Sequence, residues 1–62
     1  MKVGDLIDCD AGMYDEDGDH ITLVKGPAIV LEIGDYYIGI LYNGIQGFII
    51  PEGAKEIISE GG

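Results

Sequence analysis

Apolar and polar residues alternate in short runs along this chain, and that two-residue period predicts strands rather than helices. Val3–Cys9 alternates, with Val3, Ile7 and Cys9 on one side and Asp8 and Asp10 on the outer one, so Cys9 reads as a core residue. Ile21–Val24 is a short β-rich run, and Ala28–Ile33 places Ile29, Leu31 and Ile33 on one face. Tyr36–Tyr42 and Ile45–Ile50 flank Asn43-Gly44. Asn-Gly between two such runs is a strong hairpin signal, because both residues of a type I′ turn take positive φ. Gly34-Asp35 is a weaker turn of the same kind before it. Pro51-Glu52-Gly53-Ala54 interrupts the strand pattern and predicts one 3₁₀ turn. Glu56–Ser59 then closes the sheet as a last short strand. No 3.6-residue apolar period lasts two turns, and eleven glycines with many β-branched residues oppose helix.

These runs predict five strands whose connections are too short for crossover helices, hence an antiparallel meander. A sheet this small covers its apolar face only by curling on itself. Strands three and four carry hydrophobes on both faces, as bent strands shared between two sheets would. The expected fold is therefore an all-β small barrel, one domain over residues 1–59 with a loose tail over 60–62. A chain of 62 residues buries only about 60% of its unfolded surface, so its core is thin. Cys9 is the single cysteine, which excludes an intrachain disulfide and leaves a Cys/His metal site only Cys9 and His20. That usage suits a reducing cytoplasm.

Charge divides the chain further. Twelve Asp and Glu oppose three Lys, for a net charge of −9. Seven acids fall between Asp5 and Asp19, namely Asp5, Asp8, Asp10, Asp15, Glu16, Asp17 and Asp19, whereas the sixteen residues from Tyr36 to Pro51 carry none. That uncharged run is too short and too polar to span a bilayer. No basic segment followed by an apolar one opens the chain, so no signal peptide is predicted. So acidic a body repels phosphate and anionic lipid, so neither direct nucleic-acid binding nor membrane binding is expected, and the charge suits solubility alone before it suits a basic partner.

The order of motifs resembles a known family. Asp19-His20-Ile21-Thr22-Leu23-Val24-Lys25-Gly26 looks like the segment of SH3 domains that leads into their second strand. Gly34-Asp35-Tyr36-Tyr37-Ile38 resembles their Gly-Asp-Trp-Trp-Leu, and Gly47-Phe48-Ile49-Ile50-Pro51 their Gly-Tyr-Ile-Pro. Ala11-Gly12-Met13-Tyr14-Asp15 echoes their Ala-Leu-Tyr-Asp-Tyr. The resemblance, over about Ala11 to Ile57, implies a five-stranded SH3-like barrel with one 3₁₀ turn before the last strand. Tyr36 stands where the family has its ligand-clamping tryptophan, Glu16 and Ala54 stand where it has tyrosines, and Ile50 is an extra residue before Pro51. The fold is thus implied without the polyproline groove. Met1-Lys2-Val3-Gly4-Asp5-Leu6, Ile29–Ile33, Tyr37–Gly44 and Glu56-Ile57 also look like the short SH3-like proteins of tailed phages that infect marine cyanobacteria. That likeness implies an intracellular accessory protein, in the host cytoplasm if phage-encoded.

Chemistry-bearing motifs are few. Asp15, Asp17 and Asp19, with Ile21, match the first, third, fifth and seventh positions of a calcium loop. The sixth position, which needs glycine, is His20, and the twelfth, which needs Glu, is Gly26, so the stretch reads as an acidic exposed loop. His20 has no positioned partner, and Cys9 has no basic neighbour to lower its pKa. No nucleophile–base order, phosphate loop or tuned carboxylate pair is present. The expectation is a non-enzymatic chain with no catalytic, cofactor or metal site.

Tyrosines remain. Tyr36 and Tyr42 share a strand face with Ile38 and Ile40, and Tyr37 shares the other with Leu41. In the SH3-like arrangement Tyr14, Tyr36 and Pro51 border a shallow groove beside Asp15, Glu16, Asp17 and Asp19. Those seven residues are the expected partner-binding set for a short basic or apolar peptide, which makes the chain a protein-interaction module. The alternative is a structural or assembly protein that docks on a second copy or a larger particle through the uncharged Tyr36–Pro51 hairpin. A third expectation is an acidic mimic of nucleic acid occupying a basic site on another protein.

Overall fold

The computed structural model describes residues 1–61. Five strands follow in order: β1 (Leu6–Tyr14), β2 (His20–Ile33), β3 (Ile38–Tyr42), β4 (Ile45–Ile49) and β5 (Ala54–Ser59), with a 3₁₀ turn at Pro51–Gly53 between the last two. No α-helix occurs among the described residues, so none is long and apolar enough to cross a membrane. Every strand pairing is antiparallel. Strands β1 to β4 pair in sequence, as a meander does, but β5 returns to β1 instead of lying against β4. β1 also meets β4 where Tyr14 pairs with Phe48.

The hairpin forms as its turn chemistry requires. Asn43 has φ 50° and Gly44 φ 78°, and Tyr42 pairs with Ile45 across the turn. The segments Ile21–Val24 and Ala28–Ile33, which the pattern separates, are one strand of 14 residues paired to β1 from Tyr14 down to Leu6. Continuous pairing with β1 carries the chain through Gly26-Pro27, residues that by local preference alone mark a break.

Within β2 the buried residues are Val24, Ala28 and Val30, so Ile29 points outward and stays exposed, while Ile33 pairs with the buried Ile38 but is exposed at the strand's end. The reason is register: Ile7, which must face inward, lies opposite Ala28, and cross-strand partners share a face. Val30 and Glu32 pair with Ile40 and Gly39, so Leu31 is a bulged residue and the side-chain parity of β2 changes there. Val3 lies outside β1 and is exposed, because Lys2–Asp5 form a turn closed by the Asp5 N–H to the Lys2 carbonyl at 3.1 Å. Ile7, Cys9, Met13, Val24, Ala28, Val30, Ile38, Ile40 and Ile49 make the core, with Ala11, Tyr42 and Ala54 packed on it. Burial, with Asp8 nearby, pushes the Cys9 thiol above its ordinary value, which suits a core residue and not a nucleophile.

One charged side chain belongs to this interior. Asp5 is 1% exposed, and its carboxylate accepts the Lys2 N–H at 2.9 Å and the Gly61 N–H at 3.0 Å. Its own carbonyl accepts the Val30 N–H at 2.9 Å. A loose tail is expected over 60–62; Gly61 is held in this clasp, and Gly62 lies outside the described residues. The Gly61 and Lys2 N–H groups hold the Asp5 carboxyl below its ordinary value of 3.8, against the opposing effect of desolvation. A folded pKa below the unfolded one contributes stability that is fully present above the unfolded value and is lost as pH falls through the folded one. Urea midpoints should therefore drop as pH falls below 3.8, and Asp5→Asn should flatten that acid limb. An equally steep limb in the variant would show that the clasp does not titrate with folding.

Candidate functional site

The acidic loop between β1 and β2 is ordered by its own first residue. Asp15 Oδ1 accepts the N–H groups of Asp17 and Asp19, each at 2.9 Å. The Asp15 N–H donates to the Asp19 carbonyl at 2.9 Å, and the Gly18 N–H to the Asp15 carbonyl at 3.0 Å. These are the bonds an Asx turn makes, and aspartate supplies the acceptor at the turn's start. They draw one carboxylate oxygen each of Asp15, Asp17 and Asp19 to within 4.8 Å of one another.

Beneath the loop lies the outer face of β2, β3 and β4. Ile38 and Ile40 point inward, so Tyr37 and Gly39 project outward by alternation. Gly39 pairs with Phe48, and the Phe48 ring Cε1 lies 3.5 Å from where a Gly39 side chain would begin. The aromatic ring thus covers the gap that glycine leaves. Tyr37 stands edge-to-face on Phe48, with ring centres 5.2 Å apart and planes at 89°. Its position depends on Gly34, where any side chain would overlap the Tyr37 ring. The Tyr37 hydroxyl donates to the Glu32 carboxylate, and that bond, with the Glu32 charge, raises the phenol pKa. Tyr37 therefore stays a protonated donor at neutral pH.

Loop and sheet together enclose a groove of about 600 Å³, with Asp15, Glu16, Asp17 and Glu32 on its walls and Gly39 and Phe48 among its floor residues. An adjoining hollow of about 360 Å³ shares Asp15, Glu16 and Phe48 and adds Gly18 and Tyr37. Four carboxylates around apolar and aromatic surface make a place for a cation attached to an apolar stem.

Of the seven residues expected at a binding surface, Asp15, Glu16 and Asp17 line this groove. Asp19 closes the loop that carries them. Tyr14 sits at the β1–β4 junction, edge-on to His20 with ring centres 5.5 Å apart. Pro51 opens the 3₁₀ turn. Tyr36 has the inward parity of Ile38 but lies before β3 begins, so it projects into solvent at 88% exposure. None of Tyr14, Tyr36 and Pro51 is among the groove's lining residues; Tyr37, Phe48 and Glu32 form its aromatic corner instead. A sequence clue existed for two of them, since Tyr37 directly precedes the inward-facing Ile38 and Phe48 follows from the Asn43-Gly44 register. Glu32 had none, because the bulge at Leu31 decides where it points.

Compared with protein-family profiles, curated proteins and solved structures, the chain matches none.

Proposed function

We propose that this chain is an SH3-like barrel acting as a non-enzymatic protein-interaction module, which holds a short basic segment of a partner in the groove under the acidic loop. The observation that carries this reading is the coincidence of concavity, aromatic floor and four carboxylates at one place. In support of the barrel, pairings run from β1 through β2, β3 and β4 and return to β1 at Tyr14 and Phe48, with the 3₁₀ turn ahead of β5. Every acid on the walls attracts a cationic side chain, and the net charge of −9 steers a basic partner toward the surface.

Titration of a lysine- and arginine-containing peptide, followed by calorimetry, tests the reading. Affinity should fall as ionic strength rises, because the wall carboxylates are solvent-exposed or nearly so and are screened. The triple variant Glu16→Gln, Asp17→Asn, Glu32→Gln should bind about tenfold more weakly, since each exposed charge contributes only a few tenths of a kcal/mol to about one. Affinity indifferent to both salt and the triple variant would refute the groove.

A second reading rests on a separate observation. The uncharged stretch from Tyr36 to Pro51 leaves Tyr36 at 88%, Ile45 at 41% and Ile50 at 52% exposed. Such surface suits burial against another copy in an assembly. Salt separates the two readings. Bodies of net charge −9 repel one another, so self-association should strengthen with salt while peptide binding weakens. A monomer by sedimentation at every salt concentration removes the self-association.

A further inference from the structure

Strand β2 has one open edge. Its pairing with β3 begins at Ile29, so among the described residues no strand pairs with His20–Ala28 on the side away from β1. Which backbone groups face that side follows from the ladder. The Val30 N–H donates to the Asp5 carbonyl and the Val30 carbonyl accepts the Gly4 N–H, so Val30 turns toward β1. Antiparallel bonding alternates along a strand, and the β1–β2 register runs unbroken from Leu6 and Ile29 to Met13 and Thr22. Ala28, Gly26, Val24 and Thr22 therefore bond to β1, whereas Pro27, Lys25 and Leu23 turn their backbone to the open side.

One end of this edge is blunted. Pro27 has no N–H to offer, and the Lys25 carbonyl accepts the Tyr42 hydroxyl at 3.2 Å. The Lys25 N–H and both backbone groups of Leu23 have no partner among the described residues. Leu23 is also 53% exposed, since it pairs with Gly12, which offers no side chain to pack on, and Ile21 is 37% exposed. Unpaired N–H and C=O groups beside exposed aliphatic side chains are a template for one more strand.

Charge selects what that strand is. From His20 to Leu31 the chain has no acidic residue, and Lys25 is the one Lys there. A basic segment would meet Lys25, whose only carboxylate neighbour, Asp10 at 4.0 Å, is already paired with it. An acidic partner would be repelled by the net charge of −9. A second copy of this chain avoids both penalties, because the two bodies then touch where neither carries an acid.

We infer that the Ile21–Lys25 edge of β2 pairs antiparallel with the same edge of a second copy, joining two sheets across a two-fold axis at Leu23. In that register each Leu23 exchanges N–H···O=C bonds with its twin, and the two side chains fall on one face. Lys25 lies opposite Ile21 of the second copy, two residues from that copy's Asp19, so the cation on the edge is drawn to the other acidic loop. About five residues a side fall well short of the roughly 20–30 of a standard interface, so the dimer is weak and forms at high protein concentration. The edge shares no residue with the lining of the groove, and the inference stands apart from the peptide reading.

Amide hydrogen exchange, followed by NMR on dilute and concentrated samples, tests this. The Leu23 and Lys25 N–H groups should exchange freely when dilute and about tenfold more slowly when concentrated, as unpaired amides do on joining a ladder. Val24, which pairs with Ala11 of β1, should stay protected in both samples. Sedimentation equilibrium should show the association strengthening with salt, since each body carries a net charge of −9. Leu23→Pro removes one outward N–H and no bond to β1, so it should abolish association in a chain that stays folded. Leu23→Lys, which sets two like charges on the axis, should do the same and decides the matter where the proline variant does not fold. Ile45→Gln, in the β3–β4 hairpin, should leave association unchanged. Exchange at Leu23 that is independent of concentration would overturn the inference, as would association that survives in Leu23→Lys. Loss of association in Ile45→Gln alone would overturn it in favour of the hairpin. Slowing of the Leu23 amide by the lysine- and arginine-containing peptide, and not by protein concentration, would overturn the second copy as occupant.

Discussion

Truncating Ile40 to alanine should remove most of the stability of this chain. Ile40 is 0% exposed in the middle of β3, paired with Val30 on one side and Gly47 on the other. Deleting so buried an aliphatic group costs its transfer free energy plus that of the cavity left behind, together about 2–5 kcal/mol. A domain of 62 residues has only about 3–9 kcal/mol in all, at roughly 0.05–0.15 kcal/mol per residue. No disulfide supports it, and the nine-residue core offers few neighbours able to collapse into the space. Ile40→Val, which loses a single methylene, should cost about 0.5–1.5 kcal/mol. Urea denaturation followed by far-ultraviolet circular dichroism ranks the two. If Ile40→Ala proved no worse than Ile40→Val, the core would not be packed as described.

Gly47→Ala should be the next most damaging change, and it reaches the groove directly. A methyl group at this position would overlap the Met13 Cγ and lie 3.0 Å from the Tyr14 carbonyl oxygen. Met13 is fully buried, so its side chain has no free space to enter, and the Tyr14 carbonyl is backbone. Overpacking of this kind costs about 1–3 kcal/mol. The strain would be relieved by moving β4 away from β1, which shifts Phe48 from beneath the acidic loop and opens the corner it makes with Tyr37. Peptide affinity should therefore fall further than stability alone accounts for at temperatures where the variant is folded. Combined with Met13→Ala, the loss should be smaller than the sum of the two single changes, since the two sites touch and their effects cannot add. Full stability and unchanged peptide binding in Gly47→Ala would show that β1 and β4 are not in close contact there.

Much of the fold was legible because it is locally encoded. Asn43 and Gly44 state a hairpin through their own φ preferences, and Pro51 ends β4 because it has no N–H to donate. The inward place of Cys9 follows from alternation with Asp8 and Asp10. Expectation and structure part where two distant segments decide together. Alternation puts Ile29, Leu31 and Ile33 on one face, yet pairing of Ala28 with Ile7 turns Ile29 outward, and the bulge at Leu31 breaks the alternation before Ile33. The binding surface divides the same way. The acidic loop was plain in the sequence, whereas the aromatic partner moved from Tyr36 to Tyr37, which is held by the Gly34 N–H on its carbonyl, by Glu32 and by the Phe48 ring, all set by tertiary pairing.

By itself, then, the amino-acid sequence determined an all-β chain, its tight hairpin, its 3₁₀ turn and a charge concentrated in one loop. These depend on periods of two residues and on dihedral preferences, which act between neighbours. Only the tertiary structure decided that β5 returns to β1, and that Asp5 clasps a residue 56 positions away. It also set the acidic loop over Tyr37, Glu32 and Phe48. Such contacts form only when many separate segments are ordered at once, and strand register, which no local preference states, selects which side chains meet.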